Sequence, residues 1–267
     1  PSIRMEIRAA DIASRTAIEA RGLTLAVGGR VLLRGAAFRV PTGSRTALLG
    51  PNGCGKTTLI RAVLAGEATI APGVRIGLLD QDLGALGPDA SALENAMATS
   101  VQSEGAVRTV LARLGIRGDA VHKPVGRMSG GERVKVTLAR LMASDVNLLV
   151  LDEPTNHLDV YSLESLGEVL ADYRGTLLFV SHDRRFVEQV ATRLVRFEGG
   201  RLAEFEGTMA EWQSRRQPAA APDRMLIEMR MAELAARLSK PRKGDDPAEL
   251  NRRYGELAQQ LRAARDT

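Results

Sequence analysis

Gly50-Pro51-Asn52-Gly53-Cys54-Gly55-Lys56-Thr57 is the stretch on which the fold turns. It fits the spacing G-x-x-x-x-G-K-[S/T], whose glycines let backbone N–H groups close around phosphate oxygens. In that arrangement Lys56 reaches the β- and γ-phosphates and the Thr57 hydroxyl holds Mg²⁺. Thr58 extends the same loop. The pattern needs a strand before it and a helix after it. Arg45–Leu49 reads as a short buried strand, and a helix is predicted from about Lys56 to Leu64, its positive end aimed at the phosphates. Cys54 lies among these N–H groups and beside Lys56, surroundings that favour a thiolate.

Downstream, Leu148-Leu149-Val150-Leu151-Asp152-Glu153 reads as a buried strand ending in two carboxylates. At the carboxyl end of a strand these face the ligand crevice of an α/β sheet. Asp152 is then a ligand for Mg²⁺ through water, and Glu153 a candidate base for an attacking water. Without the loop upstream, an acidic pair here would read as a helix cap. Ser129-Gly130-Gly131-Glu132 opens an amphipathic helix, where small residues expose N–H groups to an anion; taken alone it too reads as a cap. Gln81 follows a strand and could sense Mg²⁺ or the attacking water. His182 follows Leu177–Val180 and could touch a γ-phosphate.

Around these motifs, alternating residues near Ala17–Ala20 and Val31–Leu33 predict early strands joined by a Gly28-Gly29 turn. Val74–Leu79, Asn147–Leu151 and Thr176–Val180 predict further strands. Helices are predicted over Gly131–Met142 and Val160–Tyr173. Ser91-Ala92-Leu93-Glu94 has capping-box spacing. The rest of 89–127 has a helical pattern broken at Gly115 and Gly118. Gly199-Gly200 marks a late hairpin. Alternating strands and helices give an α/β fold with a parallel sheet.

The chain has 267 residues, 44% hydrophobic but only 3% aromatic, so its core must be largely aliphatic. Its apolar runs are too short to span a bilayer. One cysteine excludes an intrachain disulfide framework and fits a cytoplasmic setting. From Gln213 onward there are 12 Lys/Arg and 8 Asp/Glu, which accounts for +4 of the net +5. There Ile227, Met231, Leu234 and Leu238 form one apolar stripe, and Leu250, Tyr254, Leu257 and Leu261 another. The turn-like Pro241–Pro247 lies between. Two such stripes predict an antiparallel helical hairpin whose basic surface suits nucleic acid or ribosomal phosphates.

Taken together, the order of phosphate loop, Gln81, Ser129–Glu132, Asp152-Glu153, Asp159 and His182 resembles the ATP-binding cassette family along residues 17–212. That resemblance implies a P-loop parallel-sheet core, an N-terminal antiparallel β subdomain and a helical signature subdomain, with ATP and Mg²⁺ as ligands. It makes Ser129, Gly130, Gly131 and Glu132 the signature that contacts a γ-phosphate held by a second cassette. Asp159 falls in the loop linking the two sites. Glu132, the run Glu153-Pro154-Thr155-Asn156-His157-Leu158-Asp159, the 25-residue spacing from Lys56 to Gln81, and Gly207-Thr208-Met209 with Trp212 resemble the ABC-F subfamily. Its members carry two cassettes without a membrane domain and act on the ribosome, as translation factors or in antibiotic resistance.

On that resemblance 1–16 end an interdomain linker, as Pro1–Ile7 suggests, and 17–212 form the second cassette. Residues 213–222 are a linker and 223–267 the hairpin. The partner cassette comes from the same full-length chain or from a homodimer. A transporter's nucleotide-binding subunit and a DNA-acting ATPase are the alternatives. One position departs from the family: an aromatic ring usually packs on adenine before the first glycine turn, and Val27 stands there.

Overall fold

The computed structural model describes residues 12–79, 86–156, 158–216, 220–239 and 246–263. Gln81, His157 and Pro1–Ile7 therefore lie outside the described residues. By internal contacts the chain divides into one unit ending at Ala210 and another starting at Glu211.

The first unit begins with two long antiparallel strands, β1 (Thr16–Val27) and β2 (Arg30–Pro41). Their tip is Gly28-Gly29, with φ of 55° and 81°. Two consecutive positive φ values are what a two-residue hairpin turn requires, and glycine adopts them without strain. Both strands run well beyond the short segments that alternation predicts. The pairing register shifts between Ala20 and Leu23, next to Gly22 at φ 69°. Such bulges break the period-2 pattern that a sequence reading depends on.

The central sheet orders its strands β5-β6-β7-β3-β8-β9. They are β3 (Arg45–Leu49), β5 (Ile76–Leu79), β6 (Leu148–Asp152), β7 (Thr176–Val180), β8 (Arg193–Glu198) and β9 (Arg201–Glu206). The small β4 (Thr69–Ile70) joins β1 instead. All ladders from β5 to β8 are parallel, and only β9 returns antiparallel across the predicted Gly199-Gly200 turn. A parallel sheet is covered on both faces, so its strands need continuous apolar runs. Leu148, Leu149, Leu151, Leu177 and Phe179 are fully buried accordingly. With β6, β7 and β3 adjacent and parallel, three carboxyl ends meet along one edge, and the loop, Asp152-Glu153 and His182 follow those three ends.

Helix α1 (Lys56–Ala62) follows the loop and runs into a wider π turn at Val63–Glu67. The predicted helical region 89–127 resolves into α2 (Ala92–Met97), α3 (Glu104–Arg113) and two 3₁₀ turns. Gly115, at φ 85°, stops α3 as expected. The Ser91 capping box is present, with Ser91 accepting from Glu94 N and Glu94 accepting from Ser91 N. Then come α4 (Gly130–Ala143), α5 (Val160–Ala171) and α6 (Arg184–Val190).

Helix α7 (Met209–Arg216) covers the first four positions of the predicted linker 213–222, and α8 (Ala220–Ser239) starts inside it. Pro222 does not prevent this: it falls in the first turn of α8, where a missing N–H removes no helical bond. In the second unit α8 packs on α9 (Pro247–Ala263). Ile227, Met231, Leu234 and Leu238 are half-buried, Leu250 is buried, and Tyr254 and Leu257 are half-buried. These seven positions therefore form the seam of a helical pair, and the side chain of Leu261 lies outside the described residues. Among the described residues, no helix is long and apolar enough to cross a membrane.

Candidate functional site

At the carboxyl edge of β3 the chain turns through Gly50–Gly55 into α1. Gly55 sits at φ 109°, ahead of the first turn. A Cβ there would lie 2.8 Å from Leu32 Cδ1, and one on Gly50 would lie 2.7 Å from Cys54 Sγ and 2.9 Å from Phe197 Cβ. Close approach thus requires both glycines, and at Gly55 the dihedral angle requires it as well. Lys56 is almost fully buried, and its Nζ donates to the carbonyls of Gly50 and Pro51, at 3.0 Å each. This buried cation is pinned over the loop at the place where phosphate charge would be neutralised.

A cavity of about 600 Å³ opens above the loop. It is lined by Asn52, Gly53, Gly55, Lys56, Thr57 and Thr58 of the loop and the start of α1, by Glu153, Asn156, Val180 and His182 at and beyond the ends of β6 and β7, and by Val27, Arg30 and Leu32 of the hairpin. Of the predicted residues, the structure therefore gathers Val27, most of the loop, Glu153 and His182 around one space.

Glu153 has φ 53°, the one positive value outside glycine among the described residues. Such a conformation costs free energy and persists only where surroundings hold it. Here Glu153 N donates to Val180 O at 3.1 Å, linking the ends of β6 and β7. Its Oε2 accepts from His182 N at 3.3 Å, and His182 Nε2 lies 3.1 Å from Oε1. Burial pushes the Glu153 carboxyl above its usual range, and the neighbouring Asp152 adds to this, while His182 and Lys56 oppose it. A carboxylate raised in this way is a better proton acceptor near neutral pH. Asp152 is buried, and its Oδ1 has no hydrogen-bond partner among the described residues. A buried, unpaired carboxylate oxygen beside a phosphate loop suits a hydrated divalent cation.

Ser129–Glu132 do not line this cavity. They form a capping box at the start of α4: Ser129 Oγ accepts from Glu132 N at 3.2 Å, and Glu132 Oε2 accepts from Ser129 N at 2.7 Å. Lys123 Nζ lies 3.2 Å from Glu132 Oε2. The bond from Ser129 N, together with Lys123, holds the Glu132 carboxyl below its usual range. Asp159, also outside the cavity, caps α5 through Ser162 N at 2.8 Å.

The family model described as ABC transporter matches residues 33–156, from β2 through the loop to Asn156. The chain belongs to the ATP-binding cassette family. The cassette is 37% identical over 208 residues to the ATP-binding protein Uup of Escherichia coli, a match covering 74% of this chain and 33% of that protein. It is 32% identical over 268 residues to the ribosome protection protein VmlR of Bacillus subtilis, covering 98% of this chain and 48% of that one. Such relatives identify it as an ABC-F cassette. The chain spans about half the length, or less, of the curated relatives it matches. In fold it is similar to the dimeric structure of a bacterial ABC transporter cassette, with a TM-score of 0.58, 19% identity and coverage of 71% of this chain and 98% of that one.

Two features of the cassette escaped the sequence reading. Lys135 Nζ on α4 donates to Ser162 Oγ at 2.6 Å, and Ser162 Oγ donates to Asp159 Oδ2 at 3.1 Å. The helix behind the signature is thereby tied to Asp159. An amphipathic repeat does not reveal such a bridge, because Lys135 and Ser162 look like ordinary surface positions. Arg30, which lines the cavity, is the second; an exposed arginine after a glycine turn carries no signal in the sequence.

Cys54 needs a correction. Burial pushes its thiol above the ordinary range, and this outweighs the lowering by Lys56 and the backbone N–H groups. Its side chain packs against the apolar core. Maleimide labelling at neutral pH should therefore be slower than that of a free thiol, and should speed up as pH rises. Rapid labelling at neutral pH, comparable to glutathione, would restore the reactive-thiolate reading.

Proposed function

We propose that this cassette binds MgATP over Gly50–Thr58 and hydrolyses it once a second cassette closes on it, and that the closed pair acts on the ribosome. The observation that carries the reading is the convergence of a pinned Lys56 and a proton-accepting Glu153 on one cavity. Loop N–H groups and Lys56 bind and orient the triphosphate. Glu153 takes the proton of the attacking water, and His182 keeps the carboxylate aimed. Thr57 and Asp152 would hold Mg²⁺, and the metal would supply charge neutralisation on the phosphates; Gln81 enters this reading only through its place in the motif order. Ser129–Glu132 present a helix N-terminus to the γ-phosphate in the opposite cassette. Asp159, tied to α4 through Ser162, links the two sites.

Two cassettes joined by nucleotide favour one conformation of the whole protein, and hydrolysis releases it; differential affinity for the closed state is the source of work. The ribosomal target is supported by likeness to VmlR over 98% of this chain, including its C-terminal unit. The excess basic charge after Gln213 suits a phosphate-rich surface.

Deleting residues 219–267 tests the targeting role. MgATP affinity should stay within about twofold, as expected for separate units. Ribosome pelleting should weaken, with the largest difference at low salt, because phosphate contacts depend on counterion release. A lower melting temperature with unchanged pelleting per folded molecule would reduce the helical pair to a structural cap. Retention on DNA in place of ribosomes would favour the nucleic-acid alternative.

A further inference from the structure

Two strand ends carry the groups that the proposed hydrolysis uses: β6 delivers Glu153 and β7 delivers His182. The ladder between these strands closes at Asp152 opposite Val180. Past that point individual bonds, rather than a ladder, set their separation. One is Glu153 N to Val180 O, at 3.1 Å. Two more run through the Glu153 carboxylate: His182 N donates to Oε2 at 3.3 Å, and His182 Nε2 lies 3.1 Å from Oε1. A further tie joins two hydroxyls. Thr155 Oγ1 and Ser181 Oγ lie 2.9 Å apart, and either can donate. Ser181 is buried, at 4% exposure, and its Oγ also accepts from Asp183 N at 3.0 Å. Thr155 stands in the turn closed by Asn156 N on Glu153 O, at 3.2 Å. Neither Thr155 nor Ser181 is among the described residues that line the cavity, so contact with a nucleotide is not what the pair supplies.

These ties respond differently to the reaction. A carboxylate accepts hydrogen bonds on both oxygens, and once protonated it turns one of them into a donor. The bonds from His182 therefore weaken as Glu153 takes the proton of the attacking water. Two neutral hydroxyls carry no charge that changes in that step. Ser181 directly precedes His182, and Thr155 follows Glu153 by two residues, so any slack at this pair reaches both. We propose that Thr155 and Ser181 are positioning residues for hydrolysis, a hydroxyl clamp that keeps the Glu153 carboxylate and His182 at their working separation. The inference rests on the reading of Glu153 as the proton acceptor. The clamp also supports the left-handed backbone at Glu153, φ 53°, because the turn is anchored before its tip by Val180 O and after it by Ser181.

The test measures kcat, KM and equilibrium MgATP binding in a protein that holds both cassettes. Thr155→Val removes the hydroxyl at nearly constant volume. It should lower kcat by about tenfold, the worth of one neutral hydrogen bond. MgATP affinity should stay within about twofold, because the loop and Lys56 are held by other bonds. Thr155→Ser keeps the hydroxyl and should recover most of the rate. Ser181→Ala should match Thr155→Val, and the double variant should be no slower than either alone, as for residues that act as a unit. In a Glu153→Gln background, Thr155→Val should change the residual rate by less than about twofold, since the carboxylate to be positioned is gone. Thr155 is only partly buried, so its variants should keep the fold, and melting curves check this.

Parent-like kcat in Thr155→Val and Ser181→Ala overturns the clamp. So does a loss as large in the Glu153→Gln background as in the parent, or an ATP affinity that falls in step with kcat; either reduces the pair to a general structural bond. Glu153→Gln at the parent rate would instead refute the proton acceptor on which the clamp acts, a result that Thr155→Val cannot imitate.

Discussion

Glu153→Gln leaves MgATP binding intact and slows hydrolysis by about 10²–10⁴-fold in a protein that holds both cassettes. The geometry separates the two effects. Nucleotide is held by the loop and Lys56, whose bonds run to Gly50 and Pro51 and do not involve Glu153. Glu153 meets the cavity from another strand end, held by Val180 O at a backbone conformation that only a packed environment sustains. Glutamine preserves the shape and removes the proton acceptor. A pH profile adds an independent check. Because burial raises the Glu153 carboxyl, its base form is lost at a higher pH than for an ordinary carboxylate as the solution is acidified. The parent's rate should therefore fall on acidification before an ordinary carboxyl would titrate, and Glu153→Gln should lack that acid limb. Equal rates in the two proteins would remove Glu153 from the chemistry. With hydrolysis blocked, the closed form should also persist on ribosomes.

Lys56→Met weakens MgATP by about ten- to a hundredfold, the cost of losing hydrogen bonds from a charged donor. Methionine keeps most of the volume at a nearly buried position, so the fold should survive. The loss must extend to Mg-tripolyphosphate, because Lys56 acts on phosphate. Unfolding is the trivial explanation of a loss, and an unchanged melting curve of the ligand-free variant excludes it. Parent-like affinity for ATP would mean that the loop does not hold the triphosphate.

Much of this site is legible in the sequence because its parts are set by local rules. Leu148–Leu151 must be buried on both faces, so the following Asp152-Glu153 is delivered to the sheet edge. The glycines of the loop are forced by close neighbours and by φ, which makes their spacing informative. Other parts are set by tertiary contact and left little trace. The bulged β1 and β2 broke alternation at Gly22, so only fragments of two 12-residue strands could be read. Pro222 suggested a linker but lies in a helix's first turn, where proline is tolerated. The charge on Cys54 was misjudged because a sequence shows the neighbouring lysine but not the apolar core beneath. Arg30 gave no signal because an exposed arginine after a glycine turn is common, and only the fold brings it to the lining of the cavity. Ser129 and Glu132 form the plain cap that their spacing also allowed, so any role at a γ-phosphate depends on the second cassette.

The account's central claim is that one cavity holds the triphosphate at Lys56 and presents its γ-phosphate to Glu153. A crystal structure of Glu153→Gln with MgATP tests this most directly. The expected result places the triphosphate along Gly53–Thr58, with Lys56 Nζ on its β- and γ-oxygens and no longer on the carbonyls of Gly50 and Pro51. The γ-phosphate should face residue 153 and His182. A nucleotide bound elsewhere on the chain, with Lys56 still on those two carbonyls, would contradict the account.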